Sequence, residues 1–182
     1  MIKRRFNKLM NLKDYIRNVP NFPIQGINFK DITTLLEDSS AFNYSVDQMI
    51  NKTKLYEFDK IAVIESRGFI FGSTLSYLTK KPLILIRKTN KLPAAKVSIE
   101  YDLEYGSSVI EIHKNSISSG DKVIIVDDLI ATGGSALAAV NLVKKMGGKT
   151  SGLIFLIDLV SLGGSKLLEN EGFSCSSLID YD

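Results

Sequence analysis

VIIVDDLIATGGSA, residues 123–136, decides how the rest of the chain is read. Four apolar β-formers run into two adjacent carboxylates, Asp127 and Asp128. The chain then reads Ala131-Thr132-Gly133-Gly134-Ser135 and enters an apolar helix pattern. Strand, polar bend and helix in that order mark the carboxyl end of a strand in an α/β sheet, where such folds bind ligands. Each half of the bend carries its own chemistry. The first amides of a helix lack intrahelical acceptors and sit at the positive end of its dipole. Two glycines let a ligand approach that backbone, and Thr132 and Ser135 add hydroxyls, so the bend suits a phosphate monoester. A plain Ser/Thr-capped helix is the alternative. Asp127 and Asp128 would repel a phosphate if they faced it. They suit the vicinal hydroxyls of a ribose, or Mg²⁺ and its waters. Acid beside sugar and amide beside phosphate together describe a site for a ribose 5-phosphate.

Working outward, KIAVI (60–64), LILIR (83–87), residues 122–126 and GLIFLID (152–158) read as buried strands, and SSVIEIH (107–113) alternates as one. Residues 68–79 and 134–146 read as helices, the second stopped by Gly147-Gly148. Asp38 and Ser39 are placed to cap a helix running to about Leu55, with Phe42, Val46, Met49 and Ile50 on one face. Residues 6–18 read as a short amphipathic helix ended by Pro20 and Pro23, and residues 22–36 as turn-rich, then mixed. Alternating strands and helices imply an α/β fold, a mostly parallel sheet covered on both faces. The loops after Ile64, Val126 and Ile157 become the places to look for a site. Residues 88–106 mix Lys, Pro, Ser, Tyr and Glu without a steady period and read as a functional flap.

Composition narrows the function classes. A chain of 182 residues is expected to form a single domain with a proper core. A net charge of +3 is a weak footprint for nucleic acid. No apolar run approaches the ~20 residues that span a bilayer. The basic opening MIKRRFNKLM lacks the apolar segment of a secretory signal. One cysteine, Cys175, and one histidine, His113, argue against a His/Cys metal site and for a reducing cytosolic location. Cys175 reads as a small core residue and His113 is assigned no role. Two phosphate-loop decoys fail: GGKT (147–150) precedes a strand and has Val143 where a P-loop needs its first glycine, and a G-x-G-x-x-G loop is absent.

The apolar run, the two acids and A-T-G-G-S resemble the signature of the type I phosphoribosyltransferase family. FPIQGINFKDITTLL (22–36), ESRGFIFG (65–72), IRKTNKLP (86–93) and YDLEYG (101–106) resemble its adenine-specific branch in order and spacing. The resemblance implies the type I phosphoribosyltransferase fold over residues 1–182. A small N-terminal hood would occupy about residues 1–36 and a flexible flap about 88–106. It implies a Mg²⁺-dependent reaction of adenine with phosphoribosyl pyrophosphate, giving AMP and pyrophosphate. It further implies a cytoplasmic homodimer serving purine salvage, with no nucleic-acid or membrane partner.

By the same resemblance, Ala131, Thr132, Gly133, Gly134 and Ser135 cradle the 5′-phosphate, and Asp127 and Asp128 hold the ribose hydroxyls. Ser66 and Arg67 belong to the pyrophosphate loop, with Arg67 as the cation for the leaving group. Arg87, Lys88 and Lys91 meet pyrophosphate, in this family sometimes across a dimer interface. Phe29 stacks on the purine, while the backbone at Asn28 and Lys30 reads its edge. Glu104 hydrogen-bonds or protonates N7 as N9 attacks, with Tyr105 beside it. Mg²⁺ is expected to be held by substrate and waters. Three positions depart from the family pattern: Asn28 replaces an apolar residue, Lys30 an arginine and Glu65 an aspartate. Two rivals are weighed: an enzyme for hypoxanthine, guanine or xanthine, against which FPIQGINFKDI and YDLEYG argue, and a phosphoribosyl pyrophosphate sensor that controls transcription. The first 20 residues are too short to supply a winged helix for the latter.

Overall fold

The computed structural model describes residues 10–102 and 106–182, so Glu104 and Tyr105 lie outside the described residues. The chain divides into two units, Met1–Asp47 and Gln48–Asp182.

In the N-terminal unit a 3-10 turn, Leu12–Tyr15, leads into strand β1 (Arg17–Pro20), which pairs antiparallel with β2 (Asn28–Asp31), Val19 opposite Phe29. The expected helix over 6–18 is not formed in its described part. Leu12 and Ile16 are both buried, which satisfies the i,i+4 apolar spacing without a helix. The Asn11 side chain accepts the Lys13 N–H at 3.3 Å and holds only one turn. Cross-strand contacts then take over: Arg17 pairs with Asp31, and Lys30 Nζ donates to Asn18 Oδ1 at 2.7 Å. Long-range partners outweigh a weak local preference. Helix α1 (Thr33–Glu37) follows, then α2 (Ser39–Thr53), whose residues from Gln48 onward belong to the second unit. Asp38 caps α2 as expected, its Oδ1 accepting the N–H groups of Ser40 at 2.9 Å and Ala41 at 2.8 Å.

The second unit is built on β3 (Lys60–Ile64), β4 (Leu83–Lys88), β5 (Lys96–Asp102), β6 (Ser107–His113), β7 (Lys122–Ile130), β8 (Lys149–Leu159), β9 (Cys175–Ser176) and β10 (Ile179–Tyr181). Its helices are α3 (Gly68–Thr79), α4 (Gly134–Lys145) and α5 (Gly164–Asn170). The sheet order is β10-β8-β7-β3-β4-β6-β5, with β9 beside β8. Strands β10, β8, β7, β3 and β4 are parallel, and β6 and β5 extend the sheet as an antiparallel hairpin. The mostly parallel sheet flanked by helices is the expected fold class. Burial on both faces explains why β3, β7 and β8 are near-continuous apolar runs rather than alternating ones.

The stretch 88–106 is more regular than its composition implies. Residues 96–102 form β5, whose Val97, Ile99 and Tyr101 point to the core while Lys96, Ser98 and Glu100 alternate with them. The period-2 signal is present but short, and polar neighbours mask it. Lys145 Nζ on α4 donates to Ser98 O at 3.1 Å and fastens the hairpin to that helix.

Candidate active site

The two acids lie inside β7, not in a loop after Val126. Strand β3 stops pairing at Val63–Val126, but β8 continues beside β7, with Asp127 opposite Phe155 and Ile130 opposite Asp158. A neighbour on one side is enough to keep the backbone extended. The side vacated by β3 is taken by the turn at 65–67. There Arg67 Nε sits 2.9 Å from Asp128 Oδ2, and Gly68 packs so closely that a Cβ on it would come within 2.6 Å of Asp127 Oδ1. The turn after β3 and the end of β7 therefore meet through both carboxylates.

Asp128 is only 4% exposed. Asp127 Oδ1 accepts the Asp128 N–H at 2.8 Å. Burial pushes the Asp127 carboxyl well above its usual range, and the charge on Asp128 pushes it further. Burial also raises Asp128, opposed by the Arg67 guanidinium. Desolvated, adjacent and like-charged carboxylates do not stabilise the sheet, and such groups concentrate at functional sites.

Gly133 precedes helix α4 at the cap position, its φ of +85° places it in the left-handed region, and no side chain caps the helix. The Ser/Thr-capped alternative is thereby set aside. The first intrahelical bond runs from Leu137 N–H to Gly133 O at 2.8 Å, so the amides of Gly134, Ser135 and Ala136 have no acceptor within the helix. A cavity of about 190 Å³ opens on them, lined by Asp127, residues 129–136 and Phe155. Asp127 and the amide cradle thus border one space, with Asp128 behind them against Arg67.

Two contributors escape the sequence reading. Gly164, at the start of α5, donates its N–H to Ala131 O at 3.0 Å, and a Cβ on it would lie 2.3 Å from that oxygen and 2.6 Å from Gly133 N. It braces the phosphate bend from behind. The doubled glycine 163–164 after a strand is the signal that points to it. Tyr101 on β5 places its hydroxyl 3.0 Å from Ser135 Oγ, and the period-2 pattern of 97–101 would have aimed it inward.

The remaining expected residues fall in three groups. Ser66 is exposed and follows a cis Glu65–Ser66 peptide. Arg87 donates from Nε and Nη2 to Glu65, both at 3.2 Å, and from Nη1 to Lys91 O at 3.2 Å, while Lys88 N–H donates to Glu65 Oε2 at 3.0 Å. Burial pushes the Glu65 carboxyl up, but these hydrogen bonds and the charges of Arg87 and Lys91 outweigh it and hold it below its usual value. Arg87 therefore shapes the 65–67 turn, whereas Lys88 and Lys91 are exposed. Glu111, buried on β6, anchors the loop after β4 through Thr89 Oγ1, the Asn90 N–H and Lys96 Nζ. Asn28, Phe29 and Lys30 lie on β2 in the N-terminal unit, the Phe29 ring edge-on to Phe22 at 5.2 Å.

Comparison with known proteins agrees with this geometry. A phosphoribosyl transferase domain model matches residues 36–172. Adenine phosphoribosyltransferase of Pelagibacter ubique is 52% identical over 172 residues, 94% of this chain and 98% of that protein. Its counterpart in Caldicellulosiruptor saccharolyticus is 47% identical over 173 residues, 95% of this chain and 98% of that protein. The crystal structure of adenine phosphoribosyltransferase from Thermoanaerobacter pseudethanolicus matches with a TM-score of 0.90 at 45% identity, over 93% of this chain and 98% of that one. The Saccharomyces cerevisiae enzyme, complexed with an imino-altritol bisphosphate and adenine, matches with a TM-score of 0.83 at 36% identity, over 91% of this chain and 95% of that one. With an uncapped helix start and Asp127 bordering one cavity, and with likeness along nearly its whole length, the chain belongs to the phosphoribosyltransferase family, among its adenine phosphoribosyltransferases.

Proposed function

We propose that this chain transfers the 5-phosphoribosyl group of phosphoribosyl pyrophosphate to N9 of adenine, releasing pyrophosphate and AMP. The observation that carries the proposal is the single cavity bordered by Asp127 and by the unacceptored amides behind Gly133. The 5′-phosphate accepts from the N–H groups of residues 134–136 and from the hydroxyls of Thr132 and Ser135. Tyr101 orients the Ser135 hydroxyl. The ribose hydroxyls donate to Asp127 and Asp128, whose unfavourable burial is offset when such donors arrive.

As the C1′–O bond breaks, its electron pair leaves with pyrophosphate and positive charge grows on the ribose ring. The acid pair favours that charge, and Arg67, held in place by Asp128, faces the departing anion. N9 of adenine supplies the electron pair of the new C1′–N9 bond, and its proton passes to the departing pyrophosphate or to solvent. By family likeness Glu104 assists at N7, Asn28 and Lys30 read the base through their backbone, and Phe29 stacks on it. Lys88 and Lys91, both exposed, suit contact with pyrophosphate.

Magnesium fits these residues in one way. Among the described residues no cluster of three or more carboxylate, imidazole or thiol groups is arranged to cage a metal. A cation that keeps several waters and binds through substrate phosphates with one or two carboxylates suits the pair Asp127 and Asp128. Bound there, Mg²⁺ would neutralise charge on the pyrophosphate. We place the enzyme in the cytoplasm as a homodimer. The single cysteine and the absence, among the described residues, of a helix long and apolar enough to cross a membrane support the location. Incubation with phosphoribosyl pyrophosphate, Mg²⁺ and each purine base tests the reading. AMP from adenine alone is expected. Turnover of hypoxanthine or guanine instead, or binding with no turnover of any base, would overturn it.

A further inference from the structure

A second cavity, of about 220 Å³, shares Phe155 with the phosphate cradle and belongs to the same unit. Asp158, Glu169 and Asp180 border it together with the hydroxyls of Ser165, Ser176 and Ser177, and no cationic side chain does. Asp158 is 7% exposed, and its Oδ1 has no hydrogen-bond partner. It stands directly beside Asp180 in the parallel register of β8 and β10. That places two carboxylates on the same face of neighbouring strands, about 4.8 Å apart at the backbone. Like charges so placed destabilise a sheet. Ser177 Oγ donates to Asp180 Oδ1 at 2.5 Å, and the Tyr56 hydroxyl lies 2.9 Å from Ser176 Oγ, but among the described residues no hydrogen bond answers Asp158 Oδ1. The negative field is felt nearby: the Cys175 thiol is pushed up to about 12, by burial first and then by Glu169 and Asp158.

We propose that this cavity binds a hydrated divalent cation of the Mg²⁺ type, at a site distinct from the phosphoribosyl site. The donors are hard oxygens, which suit such an ion. The carboxylates do not converge into a direct coordination cage. The space corresponds to roughly seven waters of ~30 Å³ each, room for an ion with its first water shell. An alkylammonium ion would need apolar wall for its methylenes, and only Phe155 and Cys175 offer any. The ion would tie α5, which carries Ser165 and Glu169, to β8 and β10. Because α5 begins at Gly164, which braces Ala131 and Gly133, occupancy would stiffen the phosphate bend from behind.

The test uses the full chain without substrates, so its outcome is independent of which base reacts. Mn²⁺ is added as a paramagnetic probe and backbone amide resonances are followed, in parallel with thermal melting in MgCl₂. The expected result is broadening of amides in 165–169 and 176–180, retained in Asp128→Asn and lost in Asp158→Asn. Tm should rise by about 3–6 °C at tenfold the Kd. Asp158→Asn should melt higher than the native chain without metal and gain nothing from Mg²⁺. If that variant does not fold, Glu169→Gln should weaken Mn²⁺ binding several-fold. Broadening confined to 127–135 or absent altogether, or a Tm that responds to putrescine and not to Mg²⁺, would overturn the proposal.

Discussion

Gly164→Ala probes the brace behind the phosphate bend. The new methyl carbon would start 2.3 Å from Ala131 O and 2.6 Å from Gly133 N, where an ordinary contact is at least 3.4 Å. Both neighbours are backbone atoms, so no side-chain rotation relieves the clash. The bend must retreat by about 1 Å, carrying the amides of 134–136 away from the 5′-phosphate, a displacement that costs on the order of 100-fold in rate. That is about 2.7 kcal/mol of transition-state stabilisation. Overpacking should also destabilise the fold by about 1–3 kcal/mol. The assay is steady-state AMP formation with phosphoribosyl pyrophosphate varied, alongside a melting curve. A fall in kcat/KM for phosphoribosyl pyrophosphate is expected, with KM for adenine moving far less. Gly163→Ala is the control: its φ of +74° makes alanine cost about 1–2 kcal/mol in the left-handed region, but nothing lies within 4 Å of the new carbon, so the kinetics should hold. A folded Gly164→Ala enzyme within about twofold of native kcat/KM would refute the bracing role, since a 1 Å shift cannot be that harmless.

Asp127→Asn should abolish turnover yet stabilise the substrate-free chain at neutral pH, because it removes a desolvated like charge while leaving an oxygen for the Asp128 N–H. With its folded pKa raised above the usual 3.8, native Asp127 contributes stability that is full below that value and lost as pH rises through the folded pKa. The Tm gap between variant and native chain should therefore widen with pH; a gap that closes would contradict the burial argument. Tyr101→Phe removes one hydrogen bond to Ser135 Oγ, worth about 0.5–1.5 kcal/mol, and should raise KM for phosphoribosyl pyrophosphate a few-fold with kcat nearly kept. Glu104→Gln should lower kcat by about 100-fold or more with far smaller change in substrate binding, and unchanged turnover would remove Glu104 from the chemistry.

Much of the architecture is local enough to be legible in one chain. Residues 60–64, 68–79 and 107–113 declare themselves through apolar runs and periodicity, Asp38 through its capping position, and the bend at 131–135 through glycines ahead of an apolar helix. Those signals depend on neighbours a few residues away, which backbone sterics and side-chain period control directly. Other features depend on partners tens of residues distant. β7 extends through Asp127 and Asp128 because β8 lies beside it; Arg67 closes on Asp128 and Gly68 on Asp127 because β3 ends early; Gly164 underpins Ala131; Arg87 holds Glu65. No local period encodes such meetings. They arise when the packed sheet brings strand ends together, and that packing joins a recognisable bend and Asp127 around one cavity and shifts the carboxyls of Asp127 and Asp128.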